Sequence, residues 1–438
     1  MAYGIILICD TSQIKIMPAM DVLSFLKNSP SPAWAAENAA QMLTAAGFSD
    51  ASGKTISAGG NFLLRPHSGM VIAARLPAKA EAEKLKFRII GAHTDSPHLR
   101  LKPNAEVQKE NLTLLASEVY GGALLYSWFD RELGIAGEVY HQSATGMQKK
   151  LIKTDFPVAI VPSLAIHLQR GVNEDGFTPA TAESLNALFA LGAEAGTFLT
   201  WLCSAAEIEP EALLSYDLSL FDVAAPARSG LKNEFLHSGR LDNLVSCHTA
   251  VTALAAADST DTVHIVVLFD HEEVGSVSEG GAESGITESL LSEILTACCG
   301  SDRELRNVLG RSVFLSADMA HGVHPHHADR HDAVKDNRPQ LGGGVTVKIN
   351  QNRRYATSAA TLALFNDICR THNIASQLYT HRNDLPCGST IGPAISARLG
   401  IATLDVGVAM LGMHSIRETC AFEDLAGYLK FMQIFFHG

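Results

Sequence analysis

Four apolar stretches of this sequence meet the same kind of ending. KFRIIGAHTD (86–95), VHIVVLFDHEE (263–273), SVFLSAD (312–318) and IATLDVG (401–407) run through aliphatic and aromatic residues, then reach histidine or carboxylate. Runs apolar on both faces belong to strands buried on both sides, which is the habit of parallel sheets. Helix-like stretches lie between them, at 243–257 and 358–374, and WAAENAAQMLTAAG (34–47) ends on Gly47, a C′ glycine. The alternation predicts an α/β fold, an α/β/α sandwich around a mostly parallel central sheet. In such sheets ligands gather beyond the carboxyl ends of the strands.

Residues 101–230 break that alternation. Short β-like pieces (LTLLAS, GEVYHQ, KKLIKTDFPVAIVP) are joined by turns and followed by an Ala-, Glu- and Pro-containing segment, 178–212. The division that follows is a discontinuous catalytic domain, 17–100 and 231–438, interrupted by a β-rich domain at 101–230. A change of texture at Met17 or Met20 marks residues 1–16 as an upstream extension. The run GIILIC lacks the basic flank and small-residue cleavage pattern of a signal peptide, and no charge-free apolar stretch of ~20 residues predicts a membrane span.

Composition narrows the function. Of 438 residues, 47% are hydrophobic and 18% charged, enough to bury large cores; the net charge of −12 argues against nucleic acid or anionic membrane as the main partner and suits a cytoplasmic protein. Eight cysteines at irregular spacing contain no C-x-x-C. They read as reduced, mostly buried thiols, without support for a thiolate metal site.

The polar residues at the strand ends are His93 and Asp95, Glu272 and Glu273, and Asp318; Asp242 (SGRLDN) and His414 (GMHSIRE) stand near further ones. Each alone is what a cap or turn would also show. Together, in a parallel sheet, they converge. Imidazole and carboxylate suit zinc, and manganese or cobalt would accept the same ligands. One carboxylate can bridge two cations, with a histidine and a terminal carboxylate completing each sphere.

The stretches GAHTDSPHLRLKP, SGRLDN, DHEEVGS, SADMAHGVHP, VKINQNRRYAT and MHSIRE, in this order, resemble the motif series of the aspartyl aminopeptidase and vacuolar aminopeptidase I family of dinuclear zinc metallopeptidases. SPSPAWAAENAAQMLTAAGF, VPSLAIHLQR (161–170) and GSTIGP (388–393) match as well, so the resemblance runs from about residue 20 to the end. It implies that the inserted domain dimerises and that dimers build a tetrahedral homododecamer. It implies two zinc ions per subunit, with Asp242 bridging, His93 and Asp318 completing one site, and Glu273 and His414 the other. Glu272 is then the general base acting on a bridging hydroxide, and Asp95 a partner that orients His93. The implied reaction is hydrolysis of the N-terminal peptide bond of a peptide substrate, with acidic residues (Asp or Glu) preferred.

Four further residues carry substrate-binding expectations. Lys348, a cation inside an alternating strand, is either a solvated strand residue or, by the resemblance, the partner of an acidic substrate side chain. Tyr355 could donate to the substrate or to the oxyanion. His321 is the functional candidate within HGVHPHHADRHD, where His326 departs from the family's usual Asn. His167, by the resemblance, reaches a neighbouring subunit's active site. Two alternatives stay open: the same chemistry on neutral N-terminal residues, and a non-catalytic self-assembling relict.

Overall fold

The computed structural model describes residues 20–437 apart from 79, 82, 180–182, 193, 259–261 and 301–303. The expected extension, 1–16, lies outside the described residues.

All four apolar runs form neighbouring strands. Thr262–Phe269, Lys86–His93, Val313–Ala317 and Ala402–Leu411 lie side by side, each parallel to the next. They are the centre of a sheet that has 13 strands among the described residues. Away from the centre the pairing turns mixed: Val71–Arg75 runs antiparallel to Thr262–Phe269, and Val345–Ile349 antiparallel to Ala402–Leu411. Every residue of Thr262–Phe269 is buried. Side chains alternate between two cores, as a period of two requires. Val263, Ile265, Val267 and Phe269 pack with Phe87 and Ile89 against the helices Ile286–Cys299 and Ile391–Leu399. Val266 and Leu268 pack on the other face with Ile90 and Ala92, against Pro32–Ala45, Leu241–Ala256 and Asp424–His437. The fold is therefore α/β with helices on both faces of a mixed sheet.

The helix ends follow local chemistry. Ser31 caps Pro32–Ala45 by accepting from the Trp34 N–H at 3.5 Å, and Gly47 follows its end with φ +87°. Ser358 caps Ala359–Thr371 in a reciprocal pair with Thr361. Leu241–Ala256 is irregular at its start: Asp242 and Asn243 have non-helical dihedrals.

The second sheet has, among the described residues, six strands, all antiparallel, in the order Gly146–Lys153, Leu133–Ser143, Leu213–Asp222, His98–Lys109, Leu112–Tyr120 and Ala187–Leu191. It has its own core around Leu99, Leu115, Ile135, Val139, Phe198, Leu218 and Leu220. Its first strand begins at His98, five residues after the end of Lys86–His93. The chain thus leaves the larger sheet at the edge where His93 lies. No helix among the described residues is long and apolar enough to cross a membrane.

Candidate metal centre

His93 is the last residue of its strand, Asp318 follows Ala317 directly, and Glu272 and Glu273 open a short 3-10 turn after Phe269. His414 follows the strand Ala402–Leu411 by three residues, in a left-handed conformation (φ 68°). Parallel pairing brings these ends to one edge. Asp242 joins them from the irregular start of its helix.

The two imidazoles meet at Asp242. His93 Nε2 lies 3.6 Å from Asp242 Oδ1 and 3.5 Å from Asp318 Oδ2. His414 Nε2 lies 3.5 Å from Asp242 Oδ2 and 3.4 Å from Glu273 Oε1. One carboxylate therefore faces a different histidine with each oxygen. On each ring the other nitrogen is engaged by a carbonyl: His93 Nδ1 donates to Asp95 O at 3.0 Å, and His414 Nδ1 to Gly122 O at 3.1 Å. A carbonyl only accepts, so Nδ1 of each ring carries a hydrogen, which leaves Nε2 as the atom that faces the carboxylates.

Asp95 holds the group from behind. It accepts from Tyr120 Oη at 2.8 Å, from the Glu272 N–H at 3.1 Å and from the Glu273 N–H at 3.0 Å. Burial pushes its carboxyl up, but the contacts with His93 and Tyr120 and the backbone donors hold it below the usual range. The neighbouring glutamates face different surroundings. Burial raises both; after burial, the strongest influence on Glu272 is His93, and on Glu273 it is His414.

The cluster is short of positive charge. Without a cation, burial pushes the Glu272 carboxyl up to about 8 and Glu273 well above the ordinary value. His414, though burial opposes it, is drawn up to about 10 by Asp242 and Glu273. Among the described residues, Asp242 Oδ1 and Glu273 Oε1 are buried with no hydrogen-bond partner. Ligand atoms of His93, Asp242 and Glu273 lie within 4.8 Å of one another. Orphaned oxygens, two imidazole Nε2 atoms that face carboxylates and a surplus of buried carboxylates fit divalent cations.

The family model described as Aminopeptidase I zinc metalloprotease (M18) matches residues 25–436. The chain belongs to the M18 family. It is similar to a probable M18 family aminopeptidase 2 of Pseudomonas putida (strain GB-1), with 40% identity over 424 residues, 95% of this chain and 97% of that protein. Two solved structures share its fold with a TM-score of 0.88. One is the cryo-EM structure of the Ape4 and Nbr1 complex (32% identity, 94% of this chain and 84% of that one). The other is the crystal structure of prApe1 (27% identity, 95% and 94%). This M18 protein is thus a zinc metalloaminopeptidase, a hydrolase.

Around the centre of this M18 aminopeptidase, the other expected residues take different places. Lys348 is only 2% exposed; its Nζ lies 2.8 Å from Asp318 Oδ1, donates to Met319 O at 3.1 Å and stands 5.2 Å from the Tyr355 ring centre. The ammonium is occupied by a cluster carboxylate. Tyr355 is buried, and burial first, then Tyr379, pushes its phenol far up. His321 pairs beside Ala402–Leu411, with its ring 5.8 Å from that of Tyr379; burial brings it down to about 4. His167 is exposed on the turn Ile166–Leu168 and takes no part in these contacts.

Sequence reasoning passed over Glu418. It is 1% exposed and accepts from the Asp242 N–H at 3.1 Å and the His414 N–H at 2.7 Å. One carboxylate thereby fixes the backbone of two cluster residues. The available signal was its place at the end of MHSIRE, at the start of a short strand, Glu418–Ala421, that is otherwise mostly buried and apolar.

Proposed function

We propose that this M18 aminopeptidase holds two zinc ions and removes single residues from peptide N-termini, with Glu272 as general base. The observation that carries the reading is Asp242, whose two oxygens face His93 and His414 separately. On it, Asp242 would be shared between the two ions, His93 and Asp318 would hold one of them, and Glu273 and His414 the other. Bound there, the ions supply Lewis acidity, bringing the pKa of a water toward ~7 and polarising the scissile carbonyl. Glu272, outside the ligand set, takes the proton of the attacking water. It then delivers that proton to the departing amine as the C–N bond breaks. Asp95 keeps Glu272 aimed, because it holds both glutamate N–H groups. Tyr355 and His321 belong to the substrate side of the same site.

An acidic N-terminal preference rests on Lys348, the cation beside the cluster. The pairing of Lys348 with Asp318 favours a second reading, in which the lysine steadies a metal ligand and neutral residues are accepted equally. Hydrolysis of Asp- and Leu-aminoacyl substrates by Lys348→Ala separates them. The acidic reading predicts a selective loss on Asp, at least ~10-fold, since one charge-assisted hydrogen bond is worth ~1.5–3 kcal/mol. A parallel loss on both supports the steadying role.

We also propose that residues 101–230 form an inserted dimerisation unit and that the dimers build a dodecamer. One solved relative is itself described as a dodecamer (S. cerevesiae mApe1; 26% identity, TM-score 0.83, 95% of each chain). Leu164, Ile166 and Leu168 are 57%, 45% and 74% exposed on the segment that carries His167, which would bring that histidine to a neighbour's active site. Seven free thiols among the described residues agree with a reducing, cytoplasmic location.

A further inference from the structure

Behind the same strand edge lies a second convergence of ligand atoms. His67 sits in the turn between Asn61–Leu64 and Val71–Arg75, while Asp270 and His271 follow Thr262–Phe269. Ligand atoms of these three lie within 4.8 Å of one another. Asp270 Oδ2 is 3.4 Å from His67 Nδ1 and 3.8 Å from His271 Nε2. The two rings stand 5.3 Å apart, centre to centre. All three residues line a cavity of about 180 Å³ that Tyr120, Glu138 and Arg100 also border.

Several features favour a cation over a plain hydrogen bond. His67 Nδ1 lies 3.4 Å from Asp270 Oδ2 and, on its other side, only a weak 3.4 Å contact from the Gly69 N–H. A nitrogen and a carboxylate oxygen face to face need a proton or a cation between them. A proton serves two atoms; a cation serves all three, His271 Nε2 included. On His271 the opposite nitrogen, Nδ1, is already tied to Ser278 Oγ at 2.8 Å, the outer bond that typically orients a metal-binding imidazole. The walls are drawn in close. A Cβ on Gly69 would stand 2.2 Å from Asp270 Oδ2, and one on Gly280 would stand 2.8 Å from His67 Nδ1. Two imidazoles and one carboxylate with an open side are a ligand set for zinc or a similar divalent transition ion.

The geometry points to a further divalent-cation site formed by His67, Asp270 and His271, distinct from the centre at Asp242. An ion there would fasten the His67 turn to the segment that carries Glu272 and Glu273. The inference does not depend on the dinuclear reading, because none of its ligands is shared with it.

Zinc uptake by the full-length chain decides it. The metal-stripped protein is titrated with zinc against a chromophoric chelator, in the wild type, His67→Asn, Ser278→Ala and Glu273→Ala. The expected result is one equivalent fewer in His67→Asn than in the wild type. In Ser278→Ala the same equivalent remains but binds ~10–100-fold more weakly. Glu273→Ala loses a different equivalent and keeps the one that depends on His67. Equal uptake in wild type and His67→Asn overturns the proposal, and identifies a proton as the bridge. Should His67→Asn fail to fold, an unchanged binding curve in Ser278→Ala overturns it. If Glu273→Ala matches the wild type while His67→Asn loses an equivalent, the dinuclear reading fails and this one stands.

Discussion

Asp242 must present each oxygen to a different histidine, and a free aspartate rotates. Glu418 removes part of that freedom by accepting the Asp242 and His414 N–H groups with its two oxygens. Burial pushes its carboxyl up to about 8, with the Asp242 charge adding, so a cation nearby also helps keep it ionised. Replacing Glu418 with Ala leaves two buried donors unpaired. We expect a loss of ~10–100-fold in zinc affinity at the centre, measured by chelator competition, with a lowered melting temperature. A Glu418→Gln variant, which can still accept one bond, should fall between. Lys348 teaches the complementary lesson at this scale. Its strand pattern shows a cation, but its partner Asp318 is 30 residues away in sequence, and only the pairing of Val345–Ile349 with Ala402–Leu411 brings them together. His93, Glu272, Glu273 and Asp318 stand out in the sequence because strand ends repeat a pattern, whereas Asp242 and His414 lie off the strand ends and are picked out by the motif resemblance; the partners that hold them come from other strands and have no local signature.

At the scale of elements, the buried strands were legible because both faces are apolar, and their parallel order follows from the helices between them. The edges were not. Val345–Ile349 runs antiparallel against Ala402–Leu411, and its five residues read the same in either direction. The irregular start of Leu241–Ala256 was also hidden, since helix composition carries no mark of the turn that aims Asp242. One strand carries a misfit: His264 is 2% exposed in Thr262–Phe269, its ring 5.0 Å from that of Phe436, and its Nδ1 lacks a hydrogen-bond partner among the described residues. Burial, then the His437 charge, brings its pKa down from 6.5 to about 3. Between those values the unfolded chain binds the proton and the folded chain does not, so stability rises with pH through that window. The contribution is complete above about 6.5 and is lost on acidification. His264→Gln should flatten the rise of melting temperature between pH values of about 4 and about 6.5. An unchanged slope would assign the acid sensitivity to other groups.

For the whole molecule, the break in texture at 101–230 reads as an inserted domain, because short alternating strands joined by turns cannot join a parallel core; the six-stranded sheet itself is built from strands between His98 and Asp222, and Ala227–Ser229 pairs into the larger sheet. The chain leaves the larger sheet just after His93 and returns to it through Ala227–Ser229 and Phe235–Ser238, shortly before Asp242, so the second sheet hangs from the site. What that sheet meets was not legible, since exposed leucines are common on any surface. If residues 162–170 bind a neighbouring copy, Ile166→Asp with Leu168→Asp should lower the oligomer's mass in light scattering. Activity should fall with it while zinc per chain stays constant; an unchanged mass with full activity would place the interface elsewhere. On the proposed mechanism, two adjacent glutamates divide the labour, Glu273 on the metal and Glu272 on the proton. The most direct test of that division is one paired measurement on Glu272→Gln, zinc content and turnover of the same sample. Wild-type zinc with turnover reduced ~10²–10⁴-fold is expected. Turnover near that of the wild type with zinc retained, or zinc lost along with activity, would contradict it.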